Sequence, residues 1–157
     1  MFMASENYFP DSKQDISGKK GELKVKKWLD EHNVSYVDRT LFNEAEDFIC
    51  FIERIGRLRV QIKHTENNSW IIQKGGGPNK IRPVATWSRY TKDEIDAMIL
   101  VHENTFWAIP VEEITHRKET GLTLKQAEEM FLKYKHNMSF YGCTEYNPDT
   151  ALTRLFE

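Results

Sequence analysis

Asp47, Gln61 and Lys63 bring a carboxylate, an amide and an ammonium group into one stretch of seventeen residues. On a phosphate ester, such a set could hydrolyse. A carboxylate and a neutral oxygen can hold a hard dication, and the ammonium can position the attacking water and balance phosphate charge. For lysine to act as the base, its pKa must fall. In the run Arg57-Leu58-Arg59-Val60-Gln61-Ile62-Lys63-His64, apolar and polar residues alternate. The period of two directs Leu58, Val60 and Ile62 to one face of a strand and Arg59, Gln61 and Lys63 to the other. Gln61 and Lys63 then point the same way with Cα atoms roughly 6.5 to 7 Å apart, a span that one hydrated cation and one phosphate can bridge.

Two further acids bear on this set. Asp47 opens the run Asp47-Phe48-Ile49-Cys50-Phe51-Ile52-Glu53, which reads as the preceding strand. A hairpin turn at Ile55-Gly56-Arg57 opposes it to residue 63 or 64. Glu22 lies in a helix predicted from Ser17, a plausible N-cap, to His32, with Val25, Trp28 and Leu29 on one stripe and Asn33 able to end it. At 100° per residue Glu22 emerges beside Val25 and Leu29, on the core-facing side, where a carboxylate needs a cation, a metal or donors. Taken singly, each residue has a plainer reading. Glu22 could pair with Lys19 or Lys26 one turn away, Asp47 could begin a strand, and Lys63 could face solvent and blunt an edge.

The elements that must position these groups follow from the pattern. Residues 1–16, with Pro10 and no periodicity, read as an arm. After the first helix come strands at Val34–Val37, Asp47–Glu53 and Arg57–Thr65, and a fourth short one at Ser69–Gln73. Lys74-Gly75-Gly76-Gly77-Pro78-Asn79-Lys80 reads as a flexible basic loop without the spacing of a P-loop. Thr91-Lys92-Asp93-Glu94 has the form of a capping box opening a short helix. Buried strands at Ala97–Val101 and Phe106–Pro110 flank a turn at Glu103-Asn104-Thr105. Thr123-Leu124-Lys125-Gln126 caps a helix to about Lys135, with Ala127, Met130, Phe131 and Tyr134 on its apolar face. The order implies an α/β domain with a mixed sheet, divided into the arm, a core at 17–115 and a C-terminal helical extension of the same domain at 116–157.

At 157 residues and 39% hydrophobic content, the chain is long enough for one domain with a real core. It has neither a run of apolar residues long enough to span a membrane nor a basic-then-apolar leader, so a cytoplasmic, intracellular location without membrane association is expected. Cys50 and Cys143 suggest reduced thiols, and neither has the Cys/His spacing of a zinc site. Net charge is only −2, but it is segregated. From Arg54 to Lys92 nine basic residues face Glu66 alone, a balance of +8, leaving −10 on the remainder. That segment suits an anion, with Lys74, Lys80, Arg82 and Arg89 as candidates to track a phosphate backbone. Trp70 and Trp87 could stack on bases or simply pack, and His64, on the face opposite Lys63, reads as core or support.

Gly21-Glu22, Asp47, Gln61-Ile62-Lys63, and Tyr90-Thr91-Lys92-Asp93-Glu94-Ile95-Asp96 with its following strands ending Ile109-Pro110-Val111 resemble the PD-(D/E)xK nuclease superfamily. More narrowly, they resemble its small group I intron homing endonucleases and archaeal Holliday-junction-resolvase-like enzymes. The resemblance covers roughly residues 17–115. It implies a restriction-endonuclease-like core, a mixed central sheet flanked by helices, and Mg²⁺-dependent DNA cleavage in which Mn²⁺ can substitute. In that scheme Asp47 binds the metal, Glu22 assists, Gln61 and the Ile62 carbonyl complete the shell, and Lys63 positions the water. It further implies double-stranded or branched DNA as partner and a homodimer or higher symmetric oligomer. Two departures stand out: Glu46 replaces the usual proline and Gln61 the usual second carboxylate, weakening the attraction for a hard dication. Some intron-encoded members also have glutamine there, which favours the homing type over the resolvase. The rival readings are a nuclease-derived DNA-binding module without chemistry and a plain structural protein.

Overall fold

The computed structural model describes residues 13–42, 44–52, 56–73, 88–134 and 138–139, with the side chains of 13–16, 131–134 and 138–139 left aside. Helix α1 spans Lys13–Glu31 and buries Val25, Trp28 and Leu29, the stripe expected from their spacing. It starts four residues before Ser17, which is therefore no N-cap: the Ser17 hydroxyl instead meets His64 Nδ1 at 2.6 Å. The helix stops as Asn33 allows. Asn33 takes φ 56°, its N–H donates to Asp30 O at 3.2 Å, and Val34 N–H donates to Leu29 O at 2.9 Å. This is a Schellman closure with asparagine in the left-handed position.

Strands β1 (Ser35–Asp38), β2 (Phe48–Ile52) and β3 (Gly56–Thr65) form an antiparallel meander. β3 then pairs in parallel with β5 (Ala97–His102), which pairs antiparallel with β6 (Thr105–Pro110), and β8 (Met138–Ser139) closes the far edge. The six-stranded order is β1-β2-β3-β5-β6-β8. β4 (Ser69–Ile71) and β7 (Gly121–Thr123) make a separate two-stranded sheet, accompanied by α2 (Val111–Thr115) and α3 (Leu124–Tyr134). The expected mixed sheet flanked by helices is present.

Each sheet face carries its own core. On one, α1 covers Phe48, Cys50, Leu58, Val60, Ile62, Ile99 and Phe106, with Trp28 edge-on to Phe106 at 6.1 Å. On the other, Met98, Leu100, Trp107 and Ile109 pack against Trp70, Ile72, Leu122, Ile114 and Ala127. β5 is buried on both faces, as a continuous apolar run at the centre of a sheet demands. Each large side chain so removed from water contributes about 1.5–3 kcal/mol.

Several local expectations change. Thr91–Glu94 makes a single turn and not a helix. Both the Thr91 N–H and its hydroxyl bond Glu94 Oε1 at 3.3 Å, so the hydroxyl does not cap a backbone N–H as a full capping box requires. Beyond that turn, Ile95 is buried and Asp96 N–H donates to Arg59 O at 2.8 Å, committing the chain to β5. At Thr123 the box is complete: its N–H reaches Gln126 Oε1 at 2.9 Å and Gln126 N–H reaches Thr123 Oγ1 at 3.1 Å. Ala127 of α3 is buried and Met130 partly so, as expected, whereas the Phe131 and Tyr134 side chains lie outside the described residues. Trp70 is no base-stacking platform: it is buried, edge-on to Trp107 at 5.6 Å, and donates to Val101 O at 3.0 Å.

Arg59 also has a role other than meeting an anion. Its Nε and Nη2 fork onto Asp96 at 3.1 and 3.2 Å, its backbone N–H reaches the same carboxylate at 2.8 Å, and Nη1 and Nη2 reach the Asp93 and Lys92 carbonyls, each at 2.7 Å. Lys92 joins at 3.4 Å. Burial pushes the Asp96 carboxyl up, but the Arg59 hydrogen bonds and the adjacent cations hold it below its ordinary value. Two of the cations in the basic segment thus fasten β3 to the start of β5.

Candidate active site

The β2–β3 register sets the partner of Asp47. Phe48 lies opposite Val60 and Ile52 opposite Gly56, and Asp47 N–H donates to Val60 O at 2.8 Å. Asp47 therefore sits across from Gln61, not from residue 63 or 64. The reason is the turn: it closes between Ile52 and Gly56, earlier than expected, and Gly56 (φ 89°) and Arg57 already belong to β3. Ile55 lies outside the described residues. β2 begins only at Phe48, so the next outward N–H of β3, that of Ile62, has no β2 partner. Asp47 Oδ2 accepts it at 2.8 Å. A second backbone bond, Arg39 N–H to Asp47 O at 2.7 Å, fixes the aspartate from the β1 side.

Gln61 and Lys63 share the face of β3 opposite Ile62, as the alternation predicts. The Gln61 side-chain amide donates to Ile62 O at 3.2 Å. The Lys63 ammonium stands 5.3 Å from the Tyr90 ring centre, a cation–π distance. Burial pulls the Lys63 pKa down, opposed by the charge of Asp47. His64 points to the α1 face, where Ser17 holds it, and is support as expected.

Glu22 reaches this end of the sheet because α1 crosses β3 closely. A Cβ on Gly21 would lie 2.6 Å from His64 Cβ and 3.5 Å from Ile62 Cγ2. Gly21→Ala is thus expected to destabilise the fold by about 1–3 kcal/mol through overpacking, less the roughly 1 kcal/mol that alanine gains in a helix. A thermal melt checks this, and an unchanged or raised Tm refutes the close crossing. Glu22 is half-buried, and its pKa is pushed up to about 7 by burial first and then by the charges of Asp47 and Asp38. Asp47 is pushed up to about 6 by burial, against the Ile62 N–H and Lys63. Two acids whose charged forms burial disfavours suit a dication, and Asp47, Gln61, Ile62 O and Glu22 offer the hard oxygens it prefers. Among the described residues no three His, Cys, Asp or Glu side chains form a cage, so the donor set rests on the amide and the carbonyl as well.

The sequence reading missed Asp38. It ends β1 opposite Phe48, its Oδ1 accepts from Thr40 N–H at 2.9 Å and Thr40 Oγ1 at 2.6 Å, and Oδ2 meets Lys26 at 3.5 Å. The Asp-x-Thr turn after a strand was the available signal. Glu46, standing where the resembled family has proline, pairs with Arg39 at 3.4 Å across the β1–β2 connection. Of the expected DNA-contacting residues, Arg89 is exposed, whereas Lys74, Lys80 and Arg82, like Trp87 and Cys143, lie outside the described residues. Cys50 is a buried free thiol. No described helix is long and apolar enough to cross a membrane.

No protein-family model and no curated protein sequence matches the chain. Among solved structures it is similar to a bacterial homing endonuclease, I-Ssp6803I, with a TM-score of 0.59 and 12% identity over 88% of this chain and 87% of that one. At this identity the likeness is one of fold.

Proposed function

We propose that this chain is a PD-(D/E)xK-type, Mg²⁺-dependent DNA endonuclease of the homing kind, with Mn²⁺ able to substitute. The observation that carries the reading is the convergence of Glu22, Asp47, Gln61 and Lys63 at one end of the β2–β3 pair, within a fold shared with a homing endonuclease. Asp47, Gln61, the Ile62 carbonyl and Glu22 would hold the metal, which supplies charge neutralisation and a more acidic bound water. Asp47 is anchored by backbone bonds on both sides, so its carboxylate is preorganised. Lys63, desolvated against Tyr90, orients the attacking water and meets the phosphate charge. Cutting both strands takes two such sites, so the active form is a homodimer or higher symmetric oligomer.

One observation favours a second reading, a DNA-binding module without chemistry. The Gln61 amide N–H bonds the Ile62 carbonyl that would otherwise face the metal. Incubation of purified protein with plasmid and with a four-way junction, in Mg²⁺, Mn²⁺ or EDTA, decides. Cation-dependent cutting of linear duplex is expected. Cutting confined to the junction makes it a resolvase, and binding without cutting in either cation makes it the inactive module.

A further inference from the structure

Beside Tyr90, whose carbonyl accepts from Thr115, lies a cavity of about 490 Å³ lined by Gln73, Ser88, Arg89, Thr91, Thr115 and Lys118. Its chemistry is one-sided: two cations, three hydroxyls and an amide, with no acid in the lining. Among the described residues neither Arg89 nor Lys118 has a carboxylate within ion-pair distance. The neighbouring acids already have partners. Glu119 faces Arg117 at 3.8 Å, and Glu94 takes both donors of Thr91. The frame is built. Gln73 is buried and donates to Glu119 O at 3.3 Å, and Thr115 Oγ1 is 2.8 Å from Tyr90 O and 3.0 Å from Val111 O. Tyr90 is thus a shared wall, its ring toward Lys63 and its carbonyl toward the cavity.

A concave site with two cations and the Ser88 hydroxyl, its other hydroxyls and its amide serving the frame, selects an oxyanion of high charge density. We propose that this cavity is a phosphate-binding site that takes a backbone phosphate of the strand engaged at Lys63. This rests on the nucleic-acid reading above and adds to it Lys118, which lies in sequence far from the basic segment. Successive phosphates of one strand advance about 3.4 Å along the duplex axis, so a strand that passes Lys63 carries further phosphates past Tyr90 toward the cavity.

The test uses the full chain and the variants Arg89→Gln and Lys118→Gln, both at exposed positions, with Lys27→Gln on α1 as control. Duplex binding is followed by anisotropy between about 50 and 200 mM KCl, where each lost phosphate contact lowers the log–log salt slope by about 0.9. Inorganic phosphate is titrated in parallel by NMR, reading the Thr91 and Thr115 amides. The expected result is a slope lowered by about 0.9 in each variant and by nearly twice that in the pair, with the control unchanged. Duplex binding with an unaltered slope in the pair overturns the cavity assignment while leaving the nucleic-acid reading intact. If wild type binds no duplex, yet inorganic phosphate shifts both amides and the double variant abolishes the shifts, the nucleic-acid reading falls. The strand assignment falls with it, and the ligand is free phosphate.

Discussion

Lys63→Ala is expected to lower the cleavage rate by roughly 10²- to 10⁴-fold, the range for loss of a positioned proton-transfer group. Duplex affinity should stay within about fivefold, since one cation among several phosphate contacts is removed. The split follows from where the ammonium sits. It is half-buried on β3 beside Tyr90, a place that under the proposed reaction meets the scissile phosphate and not the length of the strand. Burial pulls its pKa down, and the Asp47 charge limits the fall. Lys63→Arg should not restore the rate, because a planar guanidinium does not reproduce the compact ammonium that places the water. Folding should be spared, since removing a desolvated charge costs little. Single-turnover cleavage paired with equilibrium binding reads both quantities. Normal cutting by Lys63→Ala would remove Lys63 from the site, and a parallel collapse of binding and cutting would make it a mere anchor.

That Lys63 could be singled out from sequence reflects how local its placement is. Strand alternation fixes the face of Gln61 and Lys63 without knowledge of the rest of the fold. The Val25-Trp28-Leu29 stripe, the Asn33 stop and the Thr123 box are local in the same sense. What failed depends on distant partners. The Asp47 partner moved from residue 63 to Gln61 because register follows turn length, and a hairpin closing between Ile52 and Gly56 shifts every pair. Helix α1 runs on before Ser17, whose hydroxyl finds His64 on the facing strand β3 and not a backbone N–H of its own first turn. β7 and β8 are three and two residues long and exist through pairing with β4 and β6, so no periodicity could announce them. α2 did leave a mark, Pro110 followed by Glu112 and Glu113 in its first turn. The cavity residues come from segments far apart in the chain and had no pattern to find.

Without divalent cation, stability should fall as pH rises from about 4 to 7 and level off above that, and Mg²⁺ should restore it chiefly at the upper end. Glu22 is raised from 4.5 to about 7 and Asp47 from 3.8 to about 6. A carboxyl with a raised folded pKa binds more protons folded than unfolded between its two values. Stability therefore drops through that window, and the full penalty is present above about pH 7. Both groups are partly exposed, so solvent screening reduces the penalty to on the order of 1 kcal/mol each. For a chain of this size that amounts to roughly 4–8 °C in Tm. His64 acts oppositely: burial and the nearby lysines lower its pKa, so its contribution is lost as pH falls through its ordinary value. The contribution of the acids is therefore read from Glu22→Gln and Asp47→Asn, which should flatten the descent above pH 5 relative to wild type. A dication held by these carboxylates displaces their protons, so the Mg²⁺-induced rise in Tm should grow with pH and vanish in the double variant. Scanning calorimetry at pH 5.5 and 8, in EDTA and in Mg²⁺, measures all of this. A cation-induced shift that is equal at both pH values, or that survives in the double variant, would mean that Mg²⁺ binds elsewhere and that the two acids owe their raised pKa values to burial alone.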